Sequence, residues 1–381
     1  MYTTQFFPLF KRHLFLCRYM KTFPYDFNAN TGRLFKVTDP KLGKRHKRLC
    51  IIIFLYMTTI LLSLTLGNTS VPMKMIGFVF ILTYCVPAPS QWNYKLEITS
   101  IQVLNSFMDF ETKVLKDLRK MGMSLTARAM VFFMQVAQFS MIAVPVSGFA
   151  LTVVQPCTPP FLLSIFQNCE KISWFGPAAV LPLFELGIGL QLFVTGTVWI
   201  YFGLFVSVVT LQNYFRALDS QILASVTSEE IKSVVQKYRA IQILEKYLNE
   251  WLKQAIVPSV IILVPTLQIV SQYVCIEMHN EIAMPGFLIV PLLVGDAIVV
   301  NLVVFTLASY VWTSSTRVII NIKRSLREEL RRSAIKKDLR ACSILKIKFG
   351  SNFIDRGTPL VIQNFCLSQT MQLLLIKSAA R

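Results

Sequence analysis

Acidic residues are scarce in this chain: 20 Asp and Glu stand against 39 Lys and Arg, and charges of both signs make up only 15% of the residues. With 54% hydrophobic residues, this is the composition of a membrane protein. In a soluble chain the net charge of +19 would point to nucleic acid. Here it reads as a topology signal facing an anionic leaflet, and no nucleic-acid partner is expected. The three histidines (His13, His46, His279) lie far apart, and the eight cysteines include no CxxC pair. Neither set has metal-ligand spacing, so no metal or other cofactor is expected. A glycine-rich phosphate loop, HExxH and GxSxG are all missing, which leaves an enzyme without support. No cleavable signal peptide opens the chain, because the first long apolar run starts near residue 49 behind a basic segment. The first span is therefore expected to be an uncleaved anchor. No internal repeat is visible, which speaks against a transporter built on inverted repeats.

What the chain has is seven apolar runs: Leu49–Leu66, Val71–Ala88, Ala129–Val154, Pro177–Val209, Ala255–Glu277, Met284–Trp312 and Pro359–Ile376. Each is long enough to cross a bilayer as a helix. Of the 39 Lys and Arg, 35 fall in residues 1–48, 89–128, 212–253 and 313–357, leaving Lys74, Lys171, Lys377 and Arg381 for the other side. Basic residues collect in cytoplasmic segments. The expected fold is therefore an all-α polytopic plasma-membrane protein of seven transmembrane helices, with a cytosolic N-terminus and an extracellular C-terminus. That is the reverse of a G-protein-coupled receptor. The chain also lacks Asp-Arg-Tyr after span three and Asn-Pro-x-x-Tyr in span seven.

The gaps have their own patterns. Residues 1–48 form a cytosolic segment in which Phe6, Phe7, Leu9, Phe10, Leu14 and Phe15 mix with Lys11, Arg12 and Arg18. That mixture suits a helix lying at the membrane interface. Residues 49–312 would hold spans one to six with extended cytosolic loops, and the fourth and fifth spans are expected to continue as helices beyond the bilayer. Thr227 and Glu230 have capping-box spacing, and Ile231, Val234, Tyr238, Ile241, Leu248 and Trp251 recur at helical intervals behind them. Val318, Ile322, Leu326 and Leu330 suggest the same continuation for span six. Residues 313–358 would form cytosolic anchor helices, one of them over 333–349 and ended by Gly350. Residues 359–381 would form the last helix and a short outer tail, with Thr358 as N-cap and Pro359 at the first helical position.

Several constellations are candidates for chemistry. In the last span Asn364, Ser368 and Gln372 share one helical face, and Gln363 and Thr370 another. Lipid penalises so many polar groups unless they meet protein or water. They either hydrogen-bond neighbouring helices of one subunit or line a pore built from one such helix per subunit; a short, terminal, lipid-incompatible helix favours the pore. Glu185 and Asp296 are acids within apolar spans, functional candidates or neutral structural groups. With Tyr84, Gln135, Gln138, Gln268, Gln272 and Tyr273 they are candidates for a small-molecule pocket. Cys157 and Cys169 share an outer loop as either a disulfide or two free thiols. Asn68-Thr69-Ser70 is a glycosylation sequon.

The topology, together with residues 19–36 (Tyr-Met-Lys-Thr-Phe-Pro-Tyr-Asp-Phe-Asn and onward) and 353–376 (Phe-Ile-Asp-Arg-Gly-Thr-Pro-Leu through Thr370), resembles the arthropod gustatory and odorant receptor superfamily, the gustatory branch being the nearer. That branch often ends in Thr-Tyr, five residues, then Gln-Phe. Here Thr370 matches, Met371 replaces the Tyr, and Lys377-Ser378 stand where Gln-Phe would fall. The resemblance implies a ligand-gated, non-selective cation channel, a homo- or hetero-tetramer of related subunits around the last spans. It also implies a small-molecule ligand held in the outer half of each bundle.

Overall fold

The computed structural model describes residues 2–67, 69–114, 122–166, 169, 177–225, 227–282, 286–325 and 335–379; the sequon residue Asn68 and the stripe positions Leu326 and Leu330 lie outside them. In chain order, α1 (Phe7–Met20) is followed by a hairpin of β1 (Tyr25–Asn28) and β2 (Arg33–Lys36), paired from Tyr25 opposite Lys36 to Asn28 opposite Arg33. Then come α2 (Pro40–Leu66), α3 (Val71–Cys85), the short α4 (Ala88–Gln91), α5 (Thr99–Lys113) and α6 (Leu125–Val154). Next, α7 (Pro177–Val198) runs through a π-helical turn at Trp199–Phe205 into α8 (Val206–Ala224). The rest is α9 (Ser228–Leu252), α10 (Ile256–Glu277), α11 (Gly286–Ser325), α12 (Ile335–Arg340), a hairpin of β3 (Lys348–Phe349) and β4 (Asn352–Phe353), and α13 (Thr358–Ala379).

Seven of these segments are long and apolar enough to cross a membrane, one in each of the seven apolar runs, so the chain is a multi-pass membrane protein. At 1.5 Å per residue the 40 residues of α11 reach about 60 Å, twice the roughly 30 Å hydrocarbon core. The excess stands outside the bilayer beside α8 and α9. In the bundle α10 packs on α11, α3 and α13, while α11 lies along α8, α6 along α7, and α2 along α3.

The layer outside the bilayer is held by specific contacts. Thr227 and Glu230 form the reciprocal box expected of them: the Glu230 N–H donates to Thr227 Oγ1 (3.3 Å) and the Thr227 N–H to Glu230 Oε2 (3.2 Å). Ile231, Val234, Tyr238, Ile241 and Leu248 are buried, as their spacing predicts. Half-buried Trp251 lies over the π-turn, where a Cβ on Gly203 would come within 2.2 Å of its ring; only glycine admits the indole there. Glu245 and Asn249 bind the chain leading into β3. The Lys346 N–H donates to Glu245 Oε1 (3.2 Å), Asn249 Nδ2 donates to the Lys346 carbonyl (2.8 Å), and the Lys348 N–H donates to Asn249 Oδ1 (2.9 Å). Burial raises the Glu245 carboxyl above its ordinary value, against the opposing effect of the Lys346 N–H.

Three expectations are corrected. One face of the N-terminal helix packs into the protein rather than lying free: Phe6, Phe10, His13 and Cys17 are buried, Phe10 meets Phe202 (centroids 4.6 Å), and His13 Nε2 bonds the Val194 carbonyl (2.6 Å), while Phe15 stays exposed. Tyr2 and Thr3 are anchored further in, both donating to Glu111, which also accepts from the Tyr214 hydroxyl (3.1 Å). The helix expected over 333–349 is only the six residues of α12 among those described. Gly350, at φ +54°, turns the β3–β4 hairpin instead of ending a helix. The cap of α13 is Asp355, not Thr358. The Thr358 N–H (2.8 Å) and hydroxyl (2.7 Å) both donate to Asp355 Oδ1, and the Asp355 N–H returns a bond to Thr358 Oγ1 (3.0 Å). These donors hold the Asp355 carboxyl below its ordinary value, the Thr358 hydroxyl most of all.

Candidate functional site

The last span divides sharply by face. Pro359, Gln363, Cys366, Thr370, Leu374 and Lys377 are buried or half-buried and recur every three or four residues, which makes them the seam against α10 and α11. Gln363 and Gln268 of α10 share amide bonds (Gln268 Nε2 to Gln363 Oε1, 3.0 Å), and Asn301 of α11 donates to Gln268 Oε1 (2.7 Å). About two turns further along α13, the Thr370 hydroxyl donates to Gln272 Oε1 (3.2 Å) and to the Cys366 carbonyl (2.9 Å). Lys377 pairs with Glu277 (3.2 Å) and Glu281 (3.6 Å) at the far end. With about 100° between successive residues, Asn364, Ser368 and Gln372 stand on the opposite side of the helix. All three are exposed. The five polar residues marked in the sequence are therefore two groups: Gln363 and Thr370 fasten the helix to its own subunit, and the other three point away from it.

A second feature is a cavity of about 470 Å³, within the roughly 300–1,000 Å³ of small-molecule sites. It lies among α6, the α7–α8 helix, α10 and α11, with Thr83, Val86 and Pro87 also on its wall. Its walls are mostly apolar, with Phe132, Phe133, Phe193, Tyr201 and Phe205 supplying rings. Asp296 is the one acid on its wall. It sits ten residues into α11, about 15 Å along the axis and so near mid-depth of a roughly 30 Å core.

Of the eight residues marked for a pocket, only Asp296 lines this cavity. Tyr84 packs its ring against Tyr56 and Phe193 (6.3 and 5.9 Å). Gln135 is exposed on α6, and Tyr273 is buried in α10. Gln138 donates from Nε2 to the Leu9 carbonyl (3.0 Å), tying α6 to the N-terminal helix. Glu185 accepts from the Leu162 N–H (2.6 Å) and the Tyr56 hydroxyl (3.5 Å), which anchors the loop between α6 and α7. In that loop Cys157 and Cys169 form a disulfide. Gln268 and Gln272 are committed to the last span, as described. The sequence reading missed the aromatic wall and Asn301. Asn301 had a signal, an amide on α11 in the same apolar span as Asp296; the rings had none, since the chain holds 29 phenylalanines.

No protein-family model matches the chain, and no curated protein sequence is similar to it. Solved structures are similar throughout. The insect olfactory receptor OR5 from Machilis hrabei in complex with eugenol superposes with a TM-score of 0.66 at 11% identity, covering 96% of this chain and 97% of that one. The structure of that receptor described without eugenol gives 0.62 and 12% with the same coverage. The chain thus has the fold of these insect olfactory receptors, the architecture that the sequence resemblance implies.

Proposed function

We propose that this protein is a chemosensory receptor of the plasma membrane, a ligand-gated, non-selective cation channel assembled as a tetramer around α13, with its N-terminus in the cytosol. One observation carries the reading: Asn364, Ser368 and Gln372 form an exposed polar stripe on a helix whose opposite face is seated on its own bundle. At membrane depth such groups belong against protein or water, not lipid. Repeated four times around an axis, the stripe lines a conduit. The neighbouring insect receptor structures support the reading, since they share the fold and one holds a small molecule. The cavity between α6 and α11 is the ligand site in this proposal. The bonds among Asn301, Gln268 and Gln363 connect its wall to the pore helix, because Leu267 and Val300 of the wall adjoin them in sequence. The 35-to-4 division of basic residues supports the orientation.

The test is ligand-evoked current in excised membrane patches. Replacing Asn364, Ser368 and Gln372 together by leucine changes three rings at once, and should abolish current while surface expression stays normal. A full current from the triple variant would return the stripe to lipid. A ligand response that needs a second messenger, with no current in any patch, would exclude the channel.

A further inference from the structure

We propose that the α6–α11 cavity selects a lipophilic amine, an apolar body carrying a protonated nitrogen that pairs with Asp296 and is surrounded by the aromatic wall. The proposal rests on the cavity being a ligand site and deepens that reading by naming the ligand's chemistry. Among the described residues Asp296 has no hydrogen bond and no ion pair, and no Lys, Arg or His lines the cavity with it. The other polar groups of the wall are largely spoken for. The Thr83, Thr197 and Tyr201 hydroxyls donate to the carbonyls of Val79, Phe193 and Ala137. An acid at this depth, without a partner from its own chain, needs either a proton or a cation from outside. Five aromatic rings, Phe132, Phe133, Phe193, Tyr201 and Phe205, line the same space. Ring faces attract ammonium groups, most strongly where water is excluded. A carboxylate beside aromatic faces complements an ammonium and gives a neutral alcohol or ester only a hydrogen bond.

The entrance fits the same ligand. Phe132, Val136 and Val299 belong to the wall and are also exposed, so the cavity opens between α6 and α11 on the lipid-facing side of the bundle. A molecule reaching it by that route must first dissolve in the bilayer, which favours an apolar body over a small hydrophilic amine.

The experiment uses the full chain in lipid nanodiscs and a matched pair of probes, 3-phenylpropylamine and 3-phenylpropan-1-ol, with the thermal midpoint as readout. Ligand binding to the folded state raises that midpoint. The amine should stabilise the wild type at a concentration at least tenfold lower than the alcohol. Asp296→Asn should bring the two probes together, and Asp296→Glu, which keeps the charge, should retain part of the preference. Val300→Trp, which fills the cavity from α11, should abolish the amine effect. An alcohol that matches the amine on the wild type overturns the proposal without any variant. So does an amine preference that survives Asp296→Asn. Binding is read without current, so failure of the channel reading and failure of the amine site are separate results.

Discussion

The α7–α8 helix and α13 are both membrane-spanning by length and composition, yet 94% of the most apolar stretch of one is buried by the protein and only 17% of the other. The first is the axle of the subunit. Phe202, Val206, Val209, Leu211, Tyr214 and Phe215 are all sealed, and its π-turn accepts Trp251. The second leans on the bundle along a single seam and leaves its polar stripe uncovered. A span sealed on all sides is complete within one chain. A span with amides on its free face needs protein or water against it, which copies of itself supply in the proposed channel.

The contrast predicts that equivalent substitutions have unequal effects. A leucine at Gly203 drives a side chain into the Trp251 ring, and overpacking of this kind costs about 1–3 kcal/mol. Gly203→Leu should therefore lower the thermal midpoint of the protein in nanodiscs. Ser368→Leu, on the free face of α13, should stay within about 0.5 kcal/mol in the isolated subunit. Equal losses at the two positions would break the comparison.

The seam of α13 offers a smaller test. Gln268→Leu removes the amide that joins Asn301 to Gln363, and hydrogen bonds between membrane helices contribute about 1 kcal/mol each. The variant should melt earlier by a corresponding amount. It should also leave α13 more accessible to protease at its Lys377 end while the rest of the bundle stays protected. Proteolysis that begins in α8 instead would show that the bond supports the whole bundle and not the last span.

Smaller still is the start of that helix. Asp355→Ala removes the cap and should cost about 1 kcal/mol. The sign of its pH dependence follows from the lowered carboxyl. The contribution is complete above the ordinary carboxylate value of about 4 and is lost as pH falls through the lower folded value. Asp355→Asn keeps a capping acceptor that does not titrate there. A comparison of the two chains' melting between neutral and acidic pH should show the wild type losing stability at the acid end relative to the variant.

Much of this architecture was legible because lipid simplifies the code: a run of apolar residues longer than the core is thick has few other fates. The α9 box was equally plain, since Thr227 and Glu230 satisfy each other's backbone groups locally. Elements whose partners are distant in sequence were hidden. The N-terminal face of Phe6, Phe10 and His13 looks the same whether it meets lipid or the Phe202 turn, and only the folded chain shows Phe202 waiting for it. The polar candidates were divided for the same reason. Gln138 and Glu185 are as polar and as deep as Asp296, but Leu9 and Leu162 supply them with backbone partners that no local spacing reveals. Helical period did separate Gln363 and Thr370 from Asn364, Ser368 and Gln372. It did not say which face the bundle would take.

Cysteine accessibility along α13 tests that assignment most directly. With native Cys366 replaced by serine, single cysteines from Val361 to Leu375 are exposed in turn to a water-soluble thiol reagent while ligand-evoked current is recorded. Reaction should recur with a period near 3.6, centred on positions 364, 368 and 372, and current should change only there. Reaction centred on the 363, 366 and 370 face, or none along the whole helix, would contradict that assignment.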